Sequence, residues 1–287
     1  MQPLSGGFGS QRGAMLDRLK RRPWLAAPLA KALMAALPSL ISADRVLCHW
    51  AFPFPLLAQS RGVAPERLRT WCHGSALRLP LAGALLGKSH ALALVDAHQR
   101  ALVPKRFHRD LSLLPVPIKQ MQKINAAAQE CLVFVGRLTA QKGVRILPSI
   151  LDHLPGWTAV VVGDGPLRPQ LESDARINCL GALAPDQWQQ RVPLGVGVCP
   201  ARGSEGSPLV VDELRSLGLP VVVAAQSGLA GRVQHQQNGL IERSVSPQKW
   251  AESVLQAYEN RERLSRHGAQ GRDASKAWSP FLSWVTG

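Results

Sequence analysis

The chain has 287 residues, 46% of them hydrophobic and 18% charged, a globular balance long enough for one large or two medium domains with real cores. The net charge of +15 is uneven: residues 1–120 carry 17 Lys+Arg against 5 Asp+Glu, and the remainder carries 17 against 14. Five scattered cysteines (Cys48, Cys72, Cys131, Cys179 and Cys199) without CxxC spacing argue against a zinc site built from them, and most read as buried free thiols in a reducing, cytosolic setting.

The +12 first part is the candidate for an anionic partner. Membrane phospholipid, lipid-linked phosphate and nucleic acid all suit it, and so does a plain basic surface. Residues 1–13 lack the apolar core of a secretory signal. Residues 14–40 read as helix. Overlapping them, Trp24 to Ile41 is long enough to span a bilayer, but Lys31, Pro28 and Pro38 oppose that reading. With Arg18, Lys20, Arg21 and Arg22 ahead of it, the segment suits either a basic amphipathic helix on a membrane surface or a core-facing helix. Four strand-like runs follow: Arg45 to His49, Leu68 to His73, His90 to Asp96 and Leu111 to Val116. Gly83 to Ser89 imitates a phosphate-binding P-loop, one residue short and without a strand before it. The polar stretch Lys119 to Glu130 reads as the connection between two domains, 1–122 and 123–287.

The second part alternates strand and helix. Strands are expected at Cys131 to Val135, Thr158 to Val162, Asn178 to Leu180, Leu194 to Cys199 and Val221 to Ala224. Helices are expected through His153, after Gly165, after Pro208, and over Ser246 to Arg266. This order implies a parallel sheet covered on both faces, with ligands at the carboxyl ends of its strands.

Chemistry-bearing residues cluster after those strands. Arg137 and Lys142 bracket the first loop, from which both cations can reach a diphosphate. Gly163-Asp164-Gly165-Pro166 permits a tight turn, but it is not the GxGxxG dinucleotide fingerprint. Glu205 and Glu213 lie eight residues apart around a Gly-Ser-Pro turn. Pro208 suits a helix start, leaving the amides of Leu209 and Val210 to face a phosphate. Macrodipole compensation accounts for Glu205 but serves Glu213 poorly, because the effect fades after the first turn.

Together, FVGRLTAQKG (134–143), VVGDGP (161–166), EGSPLVVDE (205–213), GLPVV (218–222) and NGLI (238–241) resemble the group 1 retaining, nucleotide-sugar-dependent glycosyltransferases. The resemblance implies the GT-B fold, two Rossmann-like parallel-sheet domains facing a cleft. It implies that Arg137 and Lys142 bind the donor diphosphate, that Glu213 binds the ribose and that Glu205 contacts the donor sugar. Gly136, Gly163, Gly165, Ser207, Leu209 and Val210 would line the donor. RTWCHGSA (69–76) makes His73 resemble the family's active-site histidine. The donor is a substrate, and neither metal nor cofactor is expected.

Three features depart from the pattern. Only about four strands are legible in the first half, so the first domain reads as incomplete. The usual Gly-Gly-x-Pro-Glu segment is Ser227-Gly228-Leu229-Ala230-Gly231, without its acid. The chain ends soon after WSPFLSW (278–284), where the family usually continues into a helix that crosses back to the first domain. The expected function is retaining sugar transfer to a glycan or lipid-linked acceptor in cell-envelope or other glycan biosynthesis. It would take place in the cytoplasm, with peripheral membrane contact through the basic half. The alternative is a catalytically impaired, truncated relative that binds a nucleotide sugar or a protein. A nucleic-acid partner is not expected, since no helix-turn-helix, zinc or RNP-like pattern is present and aromatics are few.

Overall fold

The structure is a computed structural model that describes residues 43–49, 58, 62–72, 91–95, 97–103, 111–114, 116, 121, 124–202, 209–225, 228–266 and 278–286. The expected first helix and the P-loop imitation lie outside these residues. Among the described residues no helix is long and apolar enough to cross a membrane.

The first four apolar runs form strands, trimmed at their ends: β1 (Val46–His49), β2 (Leu68–Cys72), β3 (Ala91–Leu94) and β4 (Leu111–Leu113). They make one parallel sheet in the order β1-β2-β3-β4. The strand β2 is buried along its whole length. Its Leu68 packs with Val46, Cys48 and Val63 on one face. Its Trp71 packs with Ala93, Val95 and Leu114 on the other. The Trp71 indole N–H donates to the Leu114 carbonyl at 2.8 Å, so this polar atom is satisfied inside the core. Burial pushes the Cys48 thiol up to about 11 and the Cys72 thiol up to about 12, which leaves both unreactive at neutral pH.

The second sheet holds β5 (Cys131–Val135), β6 (Thr158–Val162), β7 (Ile177–Gly181), β8 (Val196–Cys199), β9 (Val221–Ala224) and β10 (Leu240–Glu242). All are parallel, in the order β10-β9-β8-β5-β6-β7. The chain winds outward from β5 to β7, returns to the centre, and winds the other way from β8. Helices α1 (Leu147–Leu151), α2 (Arg168–Glu172), α5 (Pro247–Glu259) and α6 (Arg261–Arg266) cover one face with Leu147, Ile150, Leu171, Trp250, Val254 and Leu264. On the other face, α3 (Pro185–Trp188) and α4 (Leu209–Ser216) contribute Trp188, Val211 and Leu214. Two covered faces explain why the central strands read as continuous apolar runs. The architecture is therefore the expected one: two parallel-sheet α/β units, the first smaller among the described residues.

Local chemistry explains where the elements differ from expectation. The helix expected from Gly143 through His153 is instead a 3₁₀ turn, Val144–Ile146, followed by the short α1, and the loop before it holds a further 3₁₀ turn, Ala140–Lys142. Gly143 lies between the turns at φ 72°, a left-handed conformation that breaks helical winding. The helix expected over Ser246 to Arg266 breaks at Asn260 into α5 and α6. Two elements, α3 and β10, are too short for a period to announce them. After α4, Gly218 at φ 91° donates to the Arg215 carbonyl and Leu219 donates to the Leu214 carbonyl. This is a Schellman cap, with Leu214 and Leu219 buried in one cluster beneath it.

One departure is corrected. The WSPFLSW segment is itself a helix that meets the first sheet: α7 (Ser279–Thr286) packs Phe281 and Trp284 against the Trp71 cluster. The Phe281 and Trp71 rings lie 4.4 Å apart, and the Arg69 guanidinium stands 6.0 Å from the Trp284 ring centre. Replacing Phe281 with alanine removes that ring contact. A loss of about 1–2 kcal/mol is expected in urea unfolding followed by tryptophan fluorescence; an unchanged midpoint would show that α7 does not brace the sheet.

Candidate functional site

The reversal of strand order between β5 and β8 creates a crevice at their carboxyl ends, the usual ligand site of an open, doubly wound sheet. The helices that follow these two strands, α1 after β5 and α4 after β8, cover opposite faces of the sheet.

The β5 loop is fixed by backbone contacts on both sides. Toward β6, the Gly136 N–H donates to Val162 O at 2.9 Å and the Leu138 N–H donates to Asp164 O at 2.9 Å. A Cβ on Gly163 would lie 1.9 Å from the Gly136 carbonyl oxygen, and one on Gly165 would lie 2.6 Å from the Leu138 carbonyl oxygen. Toward β8, a Cβ on Gly143 would lie 1.9 Å from the Pro200 carbonyl oxygen. The Arg202 N–H donates to Gln141 O at 3.0 Å. Only a backbone without side chains fits these approaches. The structure thus gives Gly163 and Gly165 a mechanical reason for being glycine: they let the loop bearing Arg137 lie flat against β6.

Arg137 is exposed on that loop, and Lys142 is half-buried in its 3₁₀ turn. Both follow β5, as expected. Leu209 and Val210 begin α4, half-buried, with Glu213 one turn further along. The Glu213 carboxylate makes no ion pair with any described residue. Burial first, and the charge of neighbouring Asp212 second, hold its pKa above the ordinary carboxylate range. An under-solvated carboxylate is a strong acceptor for ligand hydroxyls. His73, Glu205 and Ser207 lie outside the described residues, so the structure gives them no place.

Two sets of residues at this edge escape sequence reasoning. Arg202 stands directly after β8 between the two loops. With Arg145, Ser149 and Val245 it lines a groove of about 420 Å³ on the α1/α5 side. Its position after an apolar run is the only signal. Asp212, Arg215 and Arg232 form an ion-pair cluster behind Glu213. Among the described residues no group of three or more His, Cys, Asp or Glu gathers as a metal site would require.

Comparison with known proteins fits this geometry. Residues 129–260 match the family model described as glycosyl transferases group 1. A GDP-mannose-dependent alpha-(1-6)-phosphatidylinositol monomannoside mannosyltransferase of Mycobacterium tuberculosis is 25% identical over 78% of this chain and 69% of its own length. The sulfoquinovosyl transferase of Arabidopsis thaliana is 35% identical, over 38% of this chain and only 22% of its own length. Among solved structures, Anabaena HepE in complex with UDP-glucose superposes with a TM-score of 0.69 at 18% identity, covering 92% of this chain and 83% of HepE. The pneumococcal O-GlcNAc transferase GtfA, in complex with UDP and GlcNAc, gives 0.69 at 16% identity, over 88% and 58%.

Two outcomes follow from the geometry. Gly163→Ala should cost about 3 kcal/mol or more and lower the unfolding temperature by roughly 6–12 °C in calorimetry; retention of wild-type stability would show that the backbone at Gly136 does not press on this position. Glu213→Gln should act oppositely. A carboxyl whose folded pKa is raised costs nothing below its unfolded pKa, and the cost develops as pH rises through the folded pKa. The substitution should therefore raise the unfolding temperature by about 2–4 °C at pH 7 and by less at pH 4; equal effects at both pH values would refute the assignment.

Proposed function

We propose that this chain, whose residues 129–260 match the family model of the group 1 glycosyltransferases, moves a sugar from a nucleoside diphosphate sugar to an acceptor hydroxyl with retention of anomeric configuration. The observation that carries this reading is the meeting of the β5 loop and residues 200–202 after β8 at the point where strand order reverses. One side brings Arg137 and Lys142, the other brings Glu213.

The chemistry assigns each a task. As the anomeric C–O bond breaks, its electron pair stays on the diphosphate oxygen. Arg137 and Lys142, already in place, offset that charge and lower the barrier. The acceptor oxygen forms the new bond on the same face, and its proton leaves with the departing phosphate. Glu213 accepts hydrogen bonds from the ribose hydroxyls. Gly136, Gly163 and Gly165 shape the loop around the diphosphate, while the Leu209 and Val210 amides and Ser207 meet its oxygens at the α4 start. Glu205 and His73 take the donor-sugar roles that the family resemblance implies. No metal or cofactor enters this reading, because the two cations do the work a metal would do.

A cell-envelope glycan or lipid-linked acceptor accords with the +12 charge of residues 1–120, which would also bring the protein to the cytoplasmic surface of an anionic membrane. The relatives above frame the donor test: one is named GDP-mannose-dependent and another was solved with UDP-glucose. A second reading, an impaired relative that binds nucleotide sugar without turnover, draws on Gly231, which stands where the family pattern has an acid.

Incubation with UDP-glucose, UDP-GlcNAc and GDP-mannose, scored for transfer, hydrolysis and binding, decides between them. Binding with turnover supports transfer, binding without turnover supports the second reading, and absence of both removes the two together. In an active protein, Lys142→Ala and Arg137→Ala should each lower kcat about 10²-fold. Glu213→Ala should weaken donor binding about 10- to 100-fold. Unchanged kinetics in all three would dismiss the site.

A further inference from the structure

Asp212 precedes Glu213 on α4 but does not behave as a solvated helix acid. Its Oδ2 lies 2.6 Å from Arg232 Nη1 and its Oδ1 lies 3.4 Å from Arg215 Nη1. The three side chains are 21%, 12% and 11% exposed, respectively. Arg215 Nη1 also donates to the Arg232 carbonyl at 3.1 Å. The 3₁₀ turn Ala230–Arg232 is therefore bound to α4 through both a side chain and its backbone. Leu229 and Val233, on either side of the turn, bury in the same cluster as Val211 and Leu214 of α4.

Stability alone does not account for this arrangement. Charges this far from water lose solvation comparable to their mutual attraction, so such a pair stabilises little; its better-attested use is to fix geometry. Burial indeed holds the Arg215 pKa below the usual guanidinium range, against the opposing pull of Asp212. What the cluster fixes is specific: it joins the helix that carries Glu213 to the turn that closes the segment 227–231. That turn follows β9 at the carboxyl edge of the sheet, next to the end of β8 that leads into α4.

We propose that Asp212 and Arg232 are positioning residues that clamp the 228–232 turn onto α4 and so set the affinity for the sugar moiety of the donor, separately from its nucleotide. The proposal rests on the glycosyltransferase reading above. The β5 loop and α4 hold the nucleoside diphosphate, and the clamped turn presents its backbone to the sugar. Loosening the clamp should therefore be felt by a nucleotide sugar and not by the bare nucleotide.

Calorimetric titration of the full chain with UDP, GDP, UDP-glucose and GDP-mannose tests this. Asp212→Asn and Arg232→Gln should keep nucleoside diphosphate affinity within about twofold and weaken the matching nucleotide sugar about tenfold, with KM rising and kcat nearly constant. Arg232→Lys, which keeps the charge, should recover most of the loss. The double variant should be no worse than Asp212→Asn alone, because that substitution already removes the ion pair with Arg232. Hydrogen exchange should quicken in residues 228–233 of Asp212→Asn while β5 to β7 stay protected. Equal weakening of nucleotide and nucleotide sugar, or exchange unchanged in that turn, overturns the clamp alone. A wild-type protein that binds none of the four ligands overturns the donor reading together with it.

Discussion

The candidate site depends on a contact with no side chains in it. The loop from Gly136 to Gly143 lies between the turn at Gly163 to Gly165 and the end of β8, with carbonyl oxygens where Cβ atoms would otherwise stand. Peptide groups pressed this closely have few ways to move, because shifting one strains the next. The cations on the loop inherit that stillness: Arg137 and Lys142 are long and mobile in themselves, but their Cα positions are set by the sheet. Preorganised charge is what makes electrostatic stabilisation of a leaving group effective.

The charges around α4 follow a different logic. Glu213 is held half-buried with Asp212 at its side, an arrangement that disfavours the ionised form. Asp212 is offset by Arg232 and Arg215, so the helix keeps one compensated acid and one acid without an ionic partner among the described residues. Functional sites often retain such local cost where a ligand supplies the missing partner. Beneath them, the Schellman cap at Gly218 and the apolar face of α4 hold the helix in register with the sheet.

Much of this is legible in the residues. The runs at Cys131, Thr158 and Val221 announce their strands because a parallel sheet covered on both faces demands unbroken apolar stretches. The loops after them are recognisable by glycine and by proline at helix starts. The reason for the glycines is not legible. Their spacing suits close approach to a ligand, while the structure shows Gly163 and Gly165 making room for a neighbouring strand's loop. The pairing of Asp212 with Arg232 is hidden because the two lie twenty residues apart, and such pairs leave no periodic trace. The docking of α7 is hidden for the same reason: Phe281 lies 210 residues beyond Trp71, and local pattern carries no information about their contact.

The docking of α7 has a topological consequence. The chain leaves the first sheet after β4, builds the second, and comes back at α7. Two covalent spans rather than one therefore tie the two sheets together. A body tethered at a single point can tumble about it in any direction. A body tethered at two points swivels about the line joining them, like a door on a pair of pins. Turning about that line is the motion two such spans oppose least, and α7 becomes one of the pins.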